Sequence, residues 1–157
     1  MSEPLMSEPL IDDNIRAWIG QSDPPQHIEV TRRDIQKYAS ATGQQLSKYI
    51  NGDEAPPMFL FGAFNPIVAL DALGPDGLRP DSLLPELPLK RVMAGGSTHT
   101  FYRSLHPGDV VDVQRTLTDI YEKQGKSGRL IFITYAIDVT MENGEPVMRE
   151  MQTRIVR

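Results

Sequence analysis

The residues of this chain with the most chemical capacity are three histidines, two acids ahead of a long apolar run, and two glycine-containing turns. His27, His99 and His106 share no HxxxH or HExxH spacing, so the imidazoles do not form a metal set. His106 stands beside Pro107 in a turn, where an imidazole is ordinarily solvated. His99 falls within a strand on the side of Phe101, a position that suits a core or interface histidine better than a catalytic one. Asp53 and Glu54 precede the apolar run and are the general-base candidates of a stand-alone enzyme, against the plainer reading of solvated loop acids. Gly125-Lys126-Ser127-Gly128 matches the end of a phosphate-binding loop, but Tyr121 occupies the place of the required glycine and no helix follows. It reads as a turn between strands. Ala94-Gly95-Gly96 is too short for a dinucleotide fingerprint and marks either a bend or a close approach of backbone or ligand. There is no GxSxG nucleophile elbow. The absence of cysteine removes thiolate nucleophiles, disulfides and cysteine metal sites together, and fits a reducing compartment.

These residues must be positioned by the elements around them. Residues 55–74, APPMFLFGAFNPIVALDALG, are the longest apolar run of the chain. Pro56 and Pro57 suit a helix start, and Gly74-Pro75 a stop. The run predicts a helix from about 58 to 73, interrupted by Pro66 and too short for a membrane span. A helix apolar on nearly every face must be covered on nearly every face. The expected fold is therefore α+β, an antiparallel sheet wrapped around a central apolar helix, with an ordinary core helix of an unrelated α+β domain as the alternative. On that reading Phe61→Ala costs about 3–5 kcal/mol. Strands are expected over 97–105, 110–121, 130–141 and 146–156, with a turn at 106–109 and a type I′ hairpin at Asn143-Gly144. On the third of these strands, Leu130 and Phe132 make the second face apolar as well, which points to oligomerisation.

Upstream, residues 12–20 read as a short helix whose lone tryptophan, Trp18, is a packing anchor, and 27–30 as a short strand. Thr31 opens a second helix with Asp34 at capping-box spacing, Ile35, Tyr38 and Ala39 form its apolar stripe, and Gly43 closes it. Residues 44–54 read as a polar loop. Four prolines, Pro75, Pro80, Pro85 and Pro88, make residues 75–89 an irregular excursion, the natural place for a lid or a partner contact. The length of 157 residues fits a flexible N-terminus over 1–11, where MSEPL occurs twice, and a single domain over 12–157. A net charge of −5 argues against a nucleic-acid partner. The acidic N-terminus lacks the charge and apolar pattern of a signal peptide, so a cytoplasmic protein without a membrane partner is expected.

Two segments carry a family resemblance. The first runs from Tyr38-Ala-Ser-Ala-Thr-Gly43 through Tyr49 to Ala55-Pro-Pro-Met-Phe59. The second comprises Arg91-Val-Met-Ala-Gly-Gly96, Phe101-Tyr-Arg-Ser-Leu-His-Pro-Gly-Asp109, Tyr121-Glu-Lys-Gln-Gly-Lys-Ser-Gly128 and Phe132. In this order they resemble the MaoC-type hotdog dehydratase/hydratase family, and more closely the N-terminal, FAS1-like dehydratase half of its double-hotdog members. The resemblance implies a hotdog fold and thioester substrates on coenzyme A or an acyl carrier protein, with no cofactor and no metal. It also implies addition or removal of water at a 2-enoyl/3-hydroxyacyl thioester, which calls for a carboxylate, an imidazole and an oxyanion donor in one site. In active members the first two come from an Asp-x4-His motif after the ATG-type segment. Here Gln44 and Tyr49 occupy those positions. Glutamine is no base, and a phenol with a pKa near 10 replaces imidazole poorly, so no catalytic residue carries over. Free helix N–H groups near Pro57, Met58 and Phe59, with Gly95 and Gly96, are expected to line the thioester end of an acyl site. The expected role is a subunit that shapes the acyl pocket in a homo- or heterodimer with a catalytic MaoC-like chain. The alternatives are a stand-alone thioesterase or hydratase using other residues, and a non-catalytic acyl-thioester binding module.

Overall fold

The structure is a computed structural model that describes residues 8–61 and 66–157. Its frame is one antiparallel sheet of five strands: β1 (Gln26–Glu29), β2 (Val92–Phe101), β3 (Val110–Gly125), β4 (Gly128–Met141) and β5 (Pro146–Val156). Their spatial order is β1-β3-β4-β5-β2, which leaves β1 and β2 as the edges. The alternation of Ile131, Ile133, Tyr135, Ile137, Val139 and Met141 expected along β4 is met at all but the last, Met141 being half-buried. Ile131, Ile133, Tyr135, Ile137 and Val139 are all buried on one face, and β3 and β5 pair on either side of them.

The 125–128 segment closes the β3–β4 hairpin, with Gly125 opposite Gly128, as a turn should. The β4–β5 connection is a hairpin too, but not of type I′. That turn needs positive φ at two central residues, and here only Gly144 has it (φ 85°). The Gly144 N–H donates to Met141 O, Met141 N–H to Glu145 O, and the Asn143 side chain accepts from Glu145 N–H at 3.0 Å. A three-residue loop closed by a left-handed glycine results, with a register shift just beyond it.

The inner face of the sheet is covered in two places. At one end sits α2 (Arg32–Ala41), capped by the Thr31 side chain, which accepts from Asp34 N–H at 3.1 Å. Its Ile35 packs with Val30, Ala55, Leu60, Leu105, Val139 and Met148. At the other end Ile11 and Ile15, the latter in α1 (Asp13–Arg16), join Leu83 and Leu87 of the proline-rich excursion over Leu117, Ile133 and Val156, with Trp18 packed alongside. Ile11 is only 2% exposed, so the ordered domain begins before residue 12.

The helix expected over 58–73 is not found. The described part of that span holds two single 3-10 turns, Phe59–Phe61 and Leu70–Ala72, and residues 62–65 lie outside the described residues. Leu60 is buried, but Phe61 is 61% exposed, and Ile67 and Leu70 more so. An apolar run without a 3.6-residue period is not evidence of helix by itself, and Pro66 removes a helical N–H. The cover expected from that helix is supplied by α2 and by the excursion.

The excursion is tied down by charge as well as by apolar contact. Asp81 pairs with Arg115 (2.7 Å) and with Arg154, and accepts from Leu83 N–H at 3.0 Å. Asp23 takes the remaining side of Arg115 at 2.8 Å. Both guanidinium groups lie over the Tyr135 ring, at 5.1 and 5.0 Å, and the buried Tyr135 hydroxyl donates to Leu83 O at 3.2 Å. On the opposite face Phe132 is stacked on Tyr121 at 5.3 Å with Lys123 over both rings, so the chain itself covers part of that apolar patch.

Candidate functional site

The loop 44–54 is not featureless. It contains a short helix, α3 (Ser47–Ile50), that places Tyr49. Gly52 (φ 73°) ends it with a tight turn against α2. A Cβ there would come within 2.8 Å of the Arg32 backbone oxygen and side chain. Arg32 donates to Asn51 O at 2.9 Å and to Asp53 at 2.5 Å, which commits Asp53 to structure. The chain then reaches Ala55, whose N–H donates to Leu105 O at 2.8 Å, and enters the turn at Pro56.

Between this segment and the end of β2 lies a cavity of about 310 Å³. Its polar wall is Tyr49, Glu54, Arg103 and Ser104, and its apolar lining includes Pro57, Phe59, Leu60, Phe101 and Met148. The Glu54 carboxylate accepts from Lys48 Nζ at 2.8 Å and Ser104 Oγ at 3.2 Å, with His106 Nε2 at 4.0 Å. The Lys48 hydrogen bond holds the Glu54 carboxyl below its ordinary range against the opposing effect of burial, and in return the Lys48 ammonium is raised. A carboxylate stabilised in this way is a poor base.

The other sequence-singled residues are dispersed. Gln44 does not line the cavity. Its side-chain amide donates to the Thr42 hydroxyl at 3.2 Å. Pro57 and Phe59 line it and Met58 does not. Pro57 has no N–H and that of Phe59 donates to Pro56 O, so Met58 is the remaining backbone donor of the three. Gly95 and Gly96 form a bulge on β2 against β5. A Cβ on Gly95 would meet Thr153 O and Ile155 at 3.0 Å, and Gly96 has φ 127°, so both glycines are demanded by the backbone. Gly96 lines a second cavity, about 350 Å³, with Phe61, Ser97, Glu150, Gln152 and Arg154.

At the wall of the second cavity is a pair that sequence reasoning did not assemble. His99 of β2 faces Glu150 of β5 across the register, with Nε2 3.6 Å from the carboxylate. Glu150 is 2% exposed, and the His99 Nε2 is buried without a hydrogen bond. The signal for Glu150 was present. It stands at inner-face parity between Met148 and Val156, where an apolar residue is expected. Among the described residues no cluster of His, Asp and Glu could hold a metal, and no helix is long and apolar enough to cross a membrane.

The family model for the FAS1-like dehydratase domain region matches residues 17–150. The chain belongs to that family. The folds agree: this FAS1-like dehydratase domain has the α+β hotdog fold, an antiparallel sheet with few helices. Among solved structures it is similar to a chain of the ChsH1-ChsH2 complex from Mycobacterium tuberculosis, with 20% identity, 90% of each chain covered and a TM-score of 0.63. It is also similar to a chain of the HadBC (3R-hydroxyacyl-ACP dehydratase) complex of that organism, with 16% identity, 87% of this chain and 96% of that one covered, and a TM-score of 0.59. The R-hydratase PhaJ1 from Pseudomonas aeruginosa is similar at 18% identity, with 88% and 81% covered and a TM-score of 0.55. No curated protein sequence matches the chain.

Proposed function

We propose that this chain is a non-catalytic hotdog subunit of a heteromeric 2-enoyl-thioester hydratase/3-hydroxyacyl-thioester dehydratase. It shapes the acyl pocket beside a partner that supplies the Asp and His of the reaction, on a substrate carried by coenzyme A or an acyl carrier protein. The observation that carries this reading is the state of the two dyad positions. Gln44 is bonded to its own loop, and Tyr49 faces the cavity beside a glutamate already neutralised by Lys48. Two of the similar structures are complexes, ChsH1-ChsH2 and HadBC, which supports a hotdog partner. The exposed edge of β2 is the surface we assign to it. The thioester end lies in the cavity lined by Pro57 and Phe59. Gly95 and Gly96 face the partner side.

One observation favours a second reading, a stand-alone thioesterase or hydratase. Glu54 and His106 are a carboxylate and an imidazole 4.0 Å apart at the first cavity. Lys48 weighs against it, because it lowers the basicity of Glu54.

The test is hydration of a 2-enoyl-CoA by the chain alone and mixed with a hotdog chain that bears Asp-x4-His. General acid and base are worth roughly 10²–10⁴-fold each, so the isolated chain is expected near background and the mixture active. Robust turnover by the isolated chain, unaffected by Gln44→Ala and Tyr49→Phe, would overturn the proposal. Loss of that turnover in Glu54→Gln would establish the second reading.

A further inference from the structure

The inner face of a sheet around an acyl pocket is expected to be apolar, and at both ends it is. The middle is not. Paired across the strands in one row stand Arg115, Ile137, Glu150 and His99, and in the next Tyr135, Gln152 and Ser97. Arg115 has its partners in Asp23 and Asp81. Glu150 and Gln152 do not. Among the described residues the Glu150 carboxyl group makes no hydrogen bond and meets only His99, at 3.6 Å, although it is 2% exposed. The Gln152 side-chain amide makes none either, and both line the second cavity. A buried polar group left unpaired is costly, and here a buried carboxyl group and a half-buried amide stand side by side in one cavity wall, with the unpaired His99 Nε2 behind them.

We propose that Glu150, Gln152 and His99 form a subsite for a hydroxyl group on the acyl chain, beyond the reacting carbons. The reading rests on the proposed function, which puts the thioester in the cavity bordered by Phe59 and Met148. Along β5, Glu150 lies two residues past Met148 and Gln152 two further, so the subsite begins roughly 7 Å from that cavity and extends to roughly 13 Å. A hydroxyl group suits these neighbours. It donates to the carboxyl oxygen of Glu150 and accepts from the Gln152 amide or from His99. A purely hydrocarbon chain in the same place leaves all of them unpaired.

The experiment is a calorimetric titration of the full chain, alone and with an Asp-x4-His hotdog chain, using decanoyl-CoA and its 8-hydroxy and 10-hydroxy counterparts. At least one hydroxy ester is expected to bind roughly tenfold or more tighter than decanoyl-CoA, the scale of one buried group gaining its partner. Gln152→Met and Glu150→Met are each expected to erase that preference and to leave decanoyl-CoA bound as well or better. Replacing one member of a buried pair is destabilising where the other is left charged, so a thermal melt checks that each variant folds. Gln152→Met, at a half-buried position, decides the matter if Glu150→Met does not fold. Equal affinity for plain and hydroxy esters, or a preference that survives Gln152→Met, overturns the subsite and leaves the proposed function standing. Binding of no ester, alone or in complex, overturns the proposed function and the subsite with it.

Discussion

Asp81 offers the sharpest physical test of how this fold is held together. Burial pushes its carboxyl upward. The hydrogen bond from Arg115, the Leu83 N–H and the charges of Arg115 and Arg154 outweigh burial and hold it at about 2, against an ordinary 3.8. With 16% of its side chain exposed, screening by water is modest. A displacement of about 1.8 pH units corresponds to about 2.5 kcal/mol at neutral pH. Asp81→Asn keeps an acceptor for Leu83 N–H and removes the charge, so it should cost about 2–3 kcal/mol. In a chain of this size that lowers Tm by roughly 5–10 °C. The pH dependence discriminates further. A carboxyl with a depressed folded value stabilises fully above its unfolded pKa and loses that contribution as pH falls through the folded one. The gap between wild type and Asp81→Asn in urea melts should be full near pH 7 and shrink between about pH 4 and pH 2. A gap below about 0.5 kcal/mol, or one constant from pH 7 to pH 3, refutes the account of Asp81 as the anchor of the excursion.

Other expectations follow from the same contacts. Ile35→Ala should cost about 2–5 kcal/mol because Ile35 is fully buried under the sheet, whereas Phe61→Ala, at 61% exposure, should cost under about 1 kcal/mol; a urea melt ranks them. Tyr135→Phe should lose about 1 kcal/mol with the bond to Leu83 O. Burial has pushed the Tyr135 phenol up to about 12, so its contribution is full below about pH 10 and lost as pH rises toward 12. Alkaline melts should therefore converge for the two proteins. On β2, successive residues turn their N–H groups to opposite sides, so of Ser97→Pro and Thr98→Pro one should spare stability and weaken association with a partner. Equal effects on both properties would argue against β2 as the joining edge.

The strands were legible because their signal is local. β4 alternates over most of its length, and the glycines at 125, 128 and 144 fall where the chain reverses. The described part of the expected central helix departs from helix for an equally physical reason. Residues 55–74 are apolar without a helical period, and apolar content reports burial or contact, not conformation. Phe61, Ile67 and Leu70 spend that content on the surface. The first cavity was half legible: Pro57, Phe59, Tyr49 and Glu54 meet there, while Arg103, Ser104 and Met148 arrive from the far end of the chain. The second was hidden, because it needs β2 to pair with β5 across about fifty residues, a non-local register that no short pattern encodes.

The two edges of the sheet differ in a way that bears on the proposed function. β1 is four residues long, and His27 there is tied to Asp112 of the next strand. It is a blunt edge of the kind that resists further pairing. β2 is ten residues long and mostly exposed, with neither proline nor lysine to protect it. Its bulge at Gly95 and Gly96 opens onto the cavity that holds Glu150 and Gln152. On the proposed function, a partner strand laid on β2 closes that cavity from the side and the partner supplies the acid–base pair. A chain in that arrangement has no use for a second Asp-x4-His. What the proposed subunit must keep is the sheet and an open edge, and both are present here.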